Sequence, residues 1–407
     1  MTDQKPKVVS MFTGAGGMDE GFKAAGFNVV ACMDIEQWAC DTLRINNPEQ
    51  VIIGPPFHSG DIKKIGPEEF SRITNIPPGE IDVLVGGPPC QPFSQAASQR
   101  FLKGDHRFKR LGFSDELKGT LLAEFISYIK YFKPKSFVLE NVPGLLSIDG
   151  GERLNACLEE LKEIGYAFTA PKKVNAVDYG VPQFRERLII WGTNVPNIRP
   201  TVPLPTHGGD LLTKPYRVVA NVLSDVPTDC VNHVTRSHKP ESILRYKKLL
   251  FGEREKLGRV DRLDPLRPSK TVIAGGMSGG GRSHLHPYIA RTLSVRECAR
   301  IQTFTDDFKF VGSIARQFTQ VGNAVPPLLA EHFARQIMTE VFSKPVPTKL
   351  RHEKHCTDLP GVTLGKLVFE NALKEKPEWI YDSHSNSKEK PPVARSKEES
   401  FSMMHQI

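Results

Sequence analysis

The 407-residue chain contains no apolar run approaching the ~20 residues that a membrane span needs. Its first residues, Met1 to Lys7, are polar and hold no apolar core of the kind a secretory leader carries. A protein with no membrane segment, working in the cytoplasm, is expected. Disulfide and zinc signals are missing too. Seven cysteines are scattered at 32, 40, 90, 157, 230, 298 and 356, and none forms a Cys-x-x-Cys pair. That argues against a disulfide framework or a structural metal, and for a reducing compartment. No excess of acid is present. The formal net charge is +8 and the pI about 9.0, a balance that suits a polyanionic partner. What remains, 39% hydrophobic and 25% charged residues, is the composition of a globular protein with room for one large domain and a smaller one.

The stretch that stands out is Gly86-Gly87-Pro88-Pro89-Cys90-Gln91-Pro92-Phe93-Ser94. An apolar run from Ile81 to Val85 reads as a buried strand, and Gly and Pro end it abruptly. Paired prolines fix the backbone and two glycines clear space beside one thiol. Alone, a single cysteine is more often core packing than chemistry. This context instead fits a thiol presented at the carboxyl edge of a sheet, where open α/β folds bind ligands.

Lys7 to Phe12 reads as the first strand, Thr13 to Gly17 as a tight glycine turn, and Met18 to Ala25 as a helix. Such a unit gathers backbone N–H groups and a positive helix end at one point. Asn28 to Met33 reads as the next strand, ending at Asp34-Ile35-Glu36. Asp34 stands where ribose hydroxyls are gripped in nucleotide-binding folds, or else it caps the following helix. Asp61 in Gly60-Asp61-Ile62 could accept a hydrogen bond from an adenine amine. Ser94 to Ser114 is polar and basic, a surface loop or one that covers a polyanion. Gly119-Thr120-Leu121 opens an amphipathic helix to Phe132.

Ser136 to Leu139 reads as a central strand ending at Glu140, a loop ion pair or a site carboxylate. Glu152 to Gly165 reads as a helix and Ala167 to Ala176 as a strand. Gln183-Phe184-Arg185-Glu186-Arg187 precedes the strand Leu188 to Trp191. Its two arginines share one side of an extended chain, as an edge-strand charge pattern or as paired cations of a site. From Thr193 to about His284 the pattern weakens into a basic, Pro- and Gly-rich region, a second domain or an insertion. Ser294 and Glu297 then have capping-box spacing, which makes Cys298 a core residue of a structural helix. Gln320 to Pro327 opens a helix to about Phe342. Beyond Lys344, Pro, Lys, Glu and Ser dominate, and a poorly ordered tail is expected. His352, His355 and Cys356 within it read as incidental rather than as metal ligands.

Taken in order, Phe12-Thr13-Gly14-Ala15-Gly16-Gly17, Pro89-Cys90-Gln91, Glu140-Asn141-Val142, Gln183-x-Arg185-x-Arg187, Arg296-Glu297-Cys298-Ala299-Arg300 and Gln320 to Pro327 resemble the motifs of the DNA (cytosine-5)-methyltransferases, of the bacterial restriction-modification type. Such an ordered set is far more specific than any one motif. The resemblance implies an α/β, Rossmann-like fold with a mixed, mostly parallel sheet, built from 1–192 and completed by 317–343. It further implies a small target-recognition domain over 193–316, with 344–407 as the tail. S-adenosylmethionine would be held by Phe12, Gly14, Gly16, Gly17, Asp34 and Ile35, and by Asp61, Ile62, Pro88, Leu121, Asn323 and Val325.

Cys90 would be the nucleophile that attacks carbon 6 of a flipped cytosine. Glu140 would bind ring nitrogen 3 and the exocyclic amine, Arg185 the ring carbonyl, and Arg187 would support them. No metal is implied. Double-stranded DNA is the expected partner, with a cognate restriction endonuclease acting on the same site, and a monomer is expected. Two alternatives stand beside this. A tRNA methyltransferase on the same fold usually carries Thr where Ser94 stands. A catalytically silent nucleic-acid binder would not need intact Cys90, Glu140 and Arg185.

Overall fold

The computed structural model describes residues 4–89, 121–257, 260–273, 284–357 and 359–381. Eight strands form one sheet: β1 Lys7–Met11, β2 Asn28–Met33, β3 Val51–Ile53, β4 Val83–Gly86, β5 Ser136–Asn141, β6 Ala167–Phe168, β7 Lys173–Asn175 and β8 Glu186–Thr193. Their order is β3-β2-β1-β4-β5-β8-β6, with β7 also on β8. The pairs from β3 to β5 are parallel, and β8 runs antiparallel to its neighbours. The sheet is therefore mixed and mostly parallel, as expected. The stretch expected as one strand over 167–176 is two short ones. Pro171 supplies no N–H for a ladder there.

The helices are α1 Gly17–Ala24, α2 Gln37–Asn46, α3 Pro67–Thr74, α4 Leu121–Phe132, α5 Glu152–Glu163, α6 Ala220–Leu223, α7 Pro240–Lys247, α8 Val295–Ile301, α9 Ile314–Asn323, α10 Pro327–Phe342 and α11 Gly361–Glu375. Strand alternation sorts the core into two layers. Phe137, Leu139, Leu188 and Ile190 face α3, α4 and α5. Val138, Ile189 and Trp191 face the other way, toward α1 and α10. Helix α10 lies so close to α1 that a Cβ on Gly21 would stand 2.5 Å from Ala330 Cβ. A third apolar cluster joins α6, α8 and α11 with Phe304, Phe308 and Phe310 in a second lobe, and continues through Phe318, Val321 and Ala324 of α9 and its turn to Ala15 in the glycine loop. The capping box is present there: Glu297 N–H donates to Ser294 Oγ at 3.0 Å, and Ser294 N–H to Glu297 Oε2 at 2.6 Å. Cys298 is fully buried in that lobe.

The tail expectation is corrected over 344–381. Helix α11 buries Leu364, Val368 and Ala372, a stripe at four-residue spacing. Arg291 Nε binds Glu375 Oε1 at 3.0 Å. The Arg262 guanidinium stacks 3.6 Å from the buried Tyr381 ring, a cation–π contact. Composition averaged over the whole tail hides this short apolar pattern. His352 is likewise used in packing, its ring nitrogens 3.1 Å from Thr303 O and 3.2 Å from Glu20 O. His355 Nε2 accepts from Asp306 N–H at 3.2 Å.

Candidate active site

The strand order reverses between β1 and β4, and both strands end at the same carboxyl edge. That crevice is where doubly wound sheets take ligands. The glycine loop follows β1, and Gly87 to Pro89 follow β4. Cys90 lies outside the described residues, as do the basic loop over 94–114, Gly119 and Thr120.

Glu140 ends β5 against this loop. A Cβ on Gly87 would sit 2.8 Å from Glu140 Oε2, so a larger residue there would push the carboxylate aside. The neighbouring Asn141 Nδ2–H donates to Pro88 O at 2.8 Å and ties the Cys90 loop to the Glu140 strand. Arg187 Nε pairs with Glu140 Oε1 at 3.0 Å. Burial pushes the Glu140 carboxyl above the usual range, with Arg187 and then Arg185 opposing. A proton held there is available for donation to a ring nitrogen.

The geometry separates the two arginines, one buried among backbone and one beside Glu140. Arg185 is fully buried. Its guanidinium donates to Val272 O at 3.1 Å, Gly322 O at 2.8 Å and Ala324 O at 2.9 Å. Its two terminal nitrogens are taken up by backbone, and its buried Nε has no hydrogen-bond partner among the described residues. Arg187, beside Glu140, keeps 14% of its side chain exposed.

The three glycines of the loop also separate. Gly14 has φ +56°, and a Cβ placed on it would meet nothing within 4 Å, so it is open to an incoming group. Gly16, at φ +84°, packs against Leu43, and a Cβ on Gly17 would stand 2.2 Å from Val325 O. At these two positions a side chain would collide with protein atoms. Phe12, at φ 54°, turns the chain into the loop. Asp34 is also reassigned. Its Oδ2 accepts from Gly14 N–H at 2.7 Å and its Oδ1 from Glu36 N–H at 2.8 Å. Burial raises its carboxyl, and these N–H groups oppose. Asp34 thus shapes the loop. The carboxylate left open is Glu36, 64% exposed and 3.9 Å from Arg316. Both acids stand just past β2, and of the two Glu36 is the exposed one.

Ile35 is 59% exposed beside Glu36. Asp61 Oδ1 accepts from Lys63 N–H at 3.1 Å in the turn after Gly60. Ile62 belongs to the core, so its side chain is not offered to a ligand, and Leu121 packs on the same core. Asn323 ends α9 exposed, while Val325 is buried against Gly17. No group of three or more metal-ligating side chains occurs among the described residues.

The family model for C-5 cytosine-specific DNA methylases matches residues 6–339. The chain belongs to this family, and it is a DNA (cytosine-5-)-methyltransferase. It is 33% identical to the Type II methyltransferase M.NgoFVII of Neisseria gonorrhoeae, covering 87% of this chain and 91% of that one. It is also 33% identical to the Type II methyltransferase M.PspPI of a Psychrobacter species, over 83% and 80% of the two chains. Among solved structures, a DNA modification methyltransferase described as encoded within an E. coli prophage superposes with a TM-score of 0.68 at 24% identity, over 84% of this chain and all of that one. That last likeness speaks to the fold.

Proposed function

We propose that the chain methylates carbon 5 of a flipped cytosine in double-stranded DNA, using S-adenosylmethionine, as the modification enzyme of a restriction-modification system. The observation that carries this reading is the Glu140–Arg187 pair at the β5 edge, tied through Asn141 to the loop that leads to Cys90. The relatives' names as Type II methyltransferases support the modification role. A restriction endonuclease of the same specificity is the partner this role implies.

The residues present fit the cofactor. Gly14 is open at a left-handed position, Glu36 offers an exposed carboxylate for ribose hydroxyls, and Ile35 offers exposed apolar surface for a base. When bound, the cofactor supplies an electrophilic methyl group. The protein's task is to make carbon 5 nucleophilic. The Cys90 thiolate adds to carbon 6 and forms a carbon–sulfur bond. The ring's electron pair shifts toward carbon 5 and nitrogen 3. Glu140, with its raised proton affinity, donates to nitrogen 3 and accepts from the exocyclic amine. Arg187 holds Glu140 and faces the ring carbonyl, stabilising charge that develops there. After methylation, water removes the carbon 5 proton and the carbon–sulfur bond breaks, returning the thiolate. A paired base cannot reach Cys90, so the target leaves the helix.

Bisulfite sequencing of an unmethylated plasmid, incubated with the protein and S-adenosylmethionine beside pooled tRNA, tests this. Protection of one cytosine in a short recurring duplex motif is expected, and Cys90→Ala should abolish it while DNA binding persists. Protection confined to tRNA, or turnover by Cys90→Ala, would overturn it.

A further inference from the structure

Among the contacts between the two lobes is one buried cation, Arg185. Gln183, Arg185 and Gln302 are each fully buried at this junction. From the second lobe, Ser269 N–H donates to Pro182 O at 2.9 Å and Phe184 N–H to Ser269 O at 2.9 Å. Thr271 Oγ1 donates to Phe184 O at 2.8 Å, and Val272 N–H to Gln183 Oε1 at 2.9 Å. Arg185 then takes the carbonyl of Val272 with one arm and those of Gly322 and Ala324 with the other. A parallel arm runs from Gln183 Nε2 to Gln302 Oε1 at 2.8 Å, and from Gln302 Nε2 to Val321 O at 2.7 Å. The turn reached by both arms packs on the cofactor loop, since Val325 O closes against Gly17.

A guanidinium out of water tolerates poorly the loss of an acceptor, because nothing replaces it. Arg185 has no carboxylate within hydrogen-bond reach among the described residues; backbone carbonyls from two separate segments solvate it, while Glu140 acts on it only through space. Displacing either segment strands the same cation. The two segments are therefore held in place together or released together.

We infer that Arg185 is a positioning residue that couples the cofactor loop to the second lobe, so that filling the cofactor site tightens the grip on DNA through the Val272–Arg185–Ala324 bridge. This rests on the methyltransferase reading above. It assigns to the first arginine of the motif a role in communication between sites, distinct from the contact with the base made by Arg187. By linkage the coupling is reciprocal: DNA tightens the cofactor site by the same factor.

The test measures the dissociation constant of a duplex carrying the cytosine site located by bisulfite sequencing, with and without S-adenosylhomocysteine, and that of S-adenosylhomocysteine with and without the duplex. Wild-type protein should show a ratio of about tenfold, equal in both directions. Arg185→Lys keeps the charge but loses the planar fork that spans both segments. Its ratio should fall toward unity while S-adenosylhomocysteine still binds the free protein. Gln302→Met cuts the parallel arm and should lower the ratio partway; it carries the test if circular dichroism shows Arg185→Lys to be unfolded. A purely structural role would lower both affinities and leave their ratio intact. An undiminished ratio in whichever variant folds, or a wild-type ratio of one, overturns the inference. Failure of the methylation assay itself would instead overturn the functional reading.

Discussion

Glu140, partly buried at the β5 edge, and Asp19, fully buried in α1, are carboxyls whose proton affinity the fold raises. Glu140 has an arginine against it and Asp19 has none. With Arg187 removed, burial of Glu140 is opposed only by Arg185. Arg187→Met should therefore move the alkaline limb of the pH–rate profile to higher pH, while lowering kcat. Glu140→Gln keeps the shape but loses the transferable proton, and a fall of about 10²–10⁴-fold in kcat is expected with melting unchanged. Asp19, in the first turn of α1, is fully buried, and neither oxygen completes a hydrogen bond of good geometry among the described residues. Burial raises its carboxyl from 3.8 to about 6, with Lys23 opposing. A raised value means that the folded state holds the proton more tightly than the unfolded chain. The resulting stability is present below pH ~3.8 and lost as pH rises through about 6. Asp19→Asn lacks that titration. Its stability relative to wild type should rise by up to about 3 kcal/mol between pH 3 and pH 8, as read by urea denaturation. A pH-independent difference would refute the assignment.

At the scale of elements, the β1–α1 unit shows how one glycine-rich string serves several contacts. Gly17→Ala places a methyl 2.2 Å from the Val325 carbonyl. It should cost about 1–3 kcal/mol of stability, as overpacking does. Gly14→Ala meets no atom but must hold a left-handed backbone. Its stability cost should be smaller, and its main effect should be weaker S-adenosylhomocysteine binding, measured by calorimetry. Equal effects from the two would mean that the loop acts as a unit. The strand-loop-helix pattern and most strands were legible in the residues, because alternation and glycine placement are local. The division of labour among Gly14, Gly16 and Gly17 was not. It depends on Leu43 and Val325, brought there from distant parts of the chain. The same holds for Asp34 and Glu36: two acids two residues apart look alike until one is found bonded to Gly14 N–H.

On the scale of the whole molecule, the segment after α10 is part of the fold. Leu364 is fully buried in the cluster that also holds Cys298 and Phe304. Leu364→Ala should cost about 2–5 kcal/mol, and ending the chain after Ser343 should uncover that cluster, seen as a lowered melting temperature and loss of soluble protein. Unchanged melting in the truncated protein would return the segment to a dispensable tail.

The amino-acid sequence by itself determined the family, the α/β class, the thiol and carboxylate expected at the strand ends, and the small-lobe helix with its capping box. These rest on local strings whose chemistry needs few neighbours. Tertiary structure alone decided which arginine stands beside Glu140, which acid stays open near the glycine loop, and that the chain's late helix closes a core. In each case the deciding atom comes from a segment far away in sequence: Val272 and Ala324 claim Arg185, Gly14 claims Asp34, and the second lobe claims α11. Hydrogen bonds and burial sort chemically identical side chains, and only the folded chain brings those partners within reach.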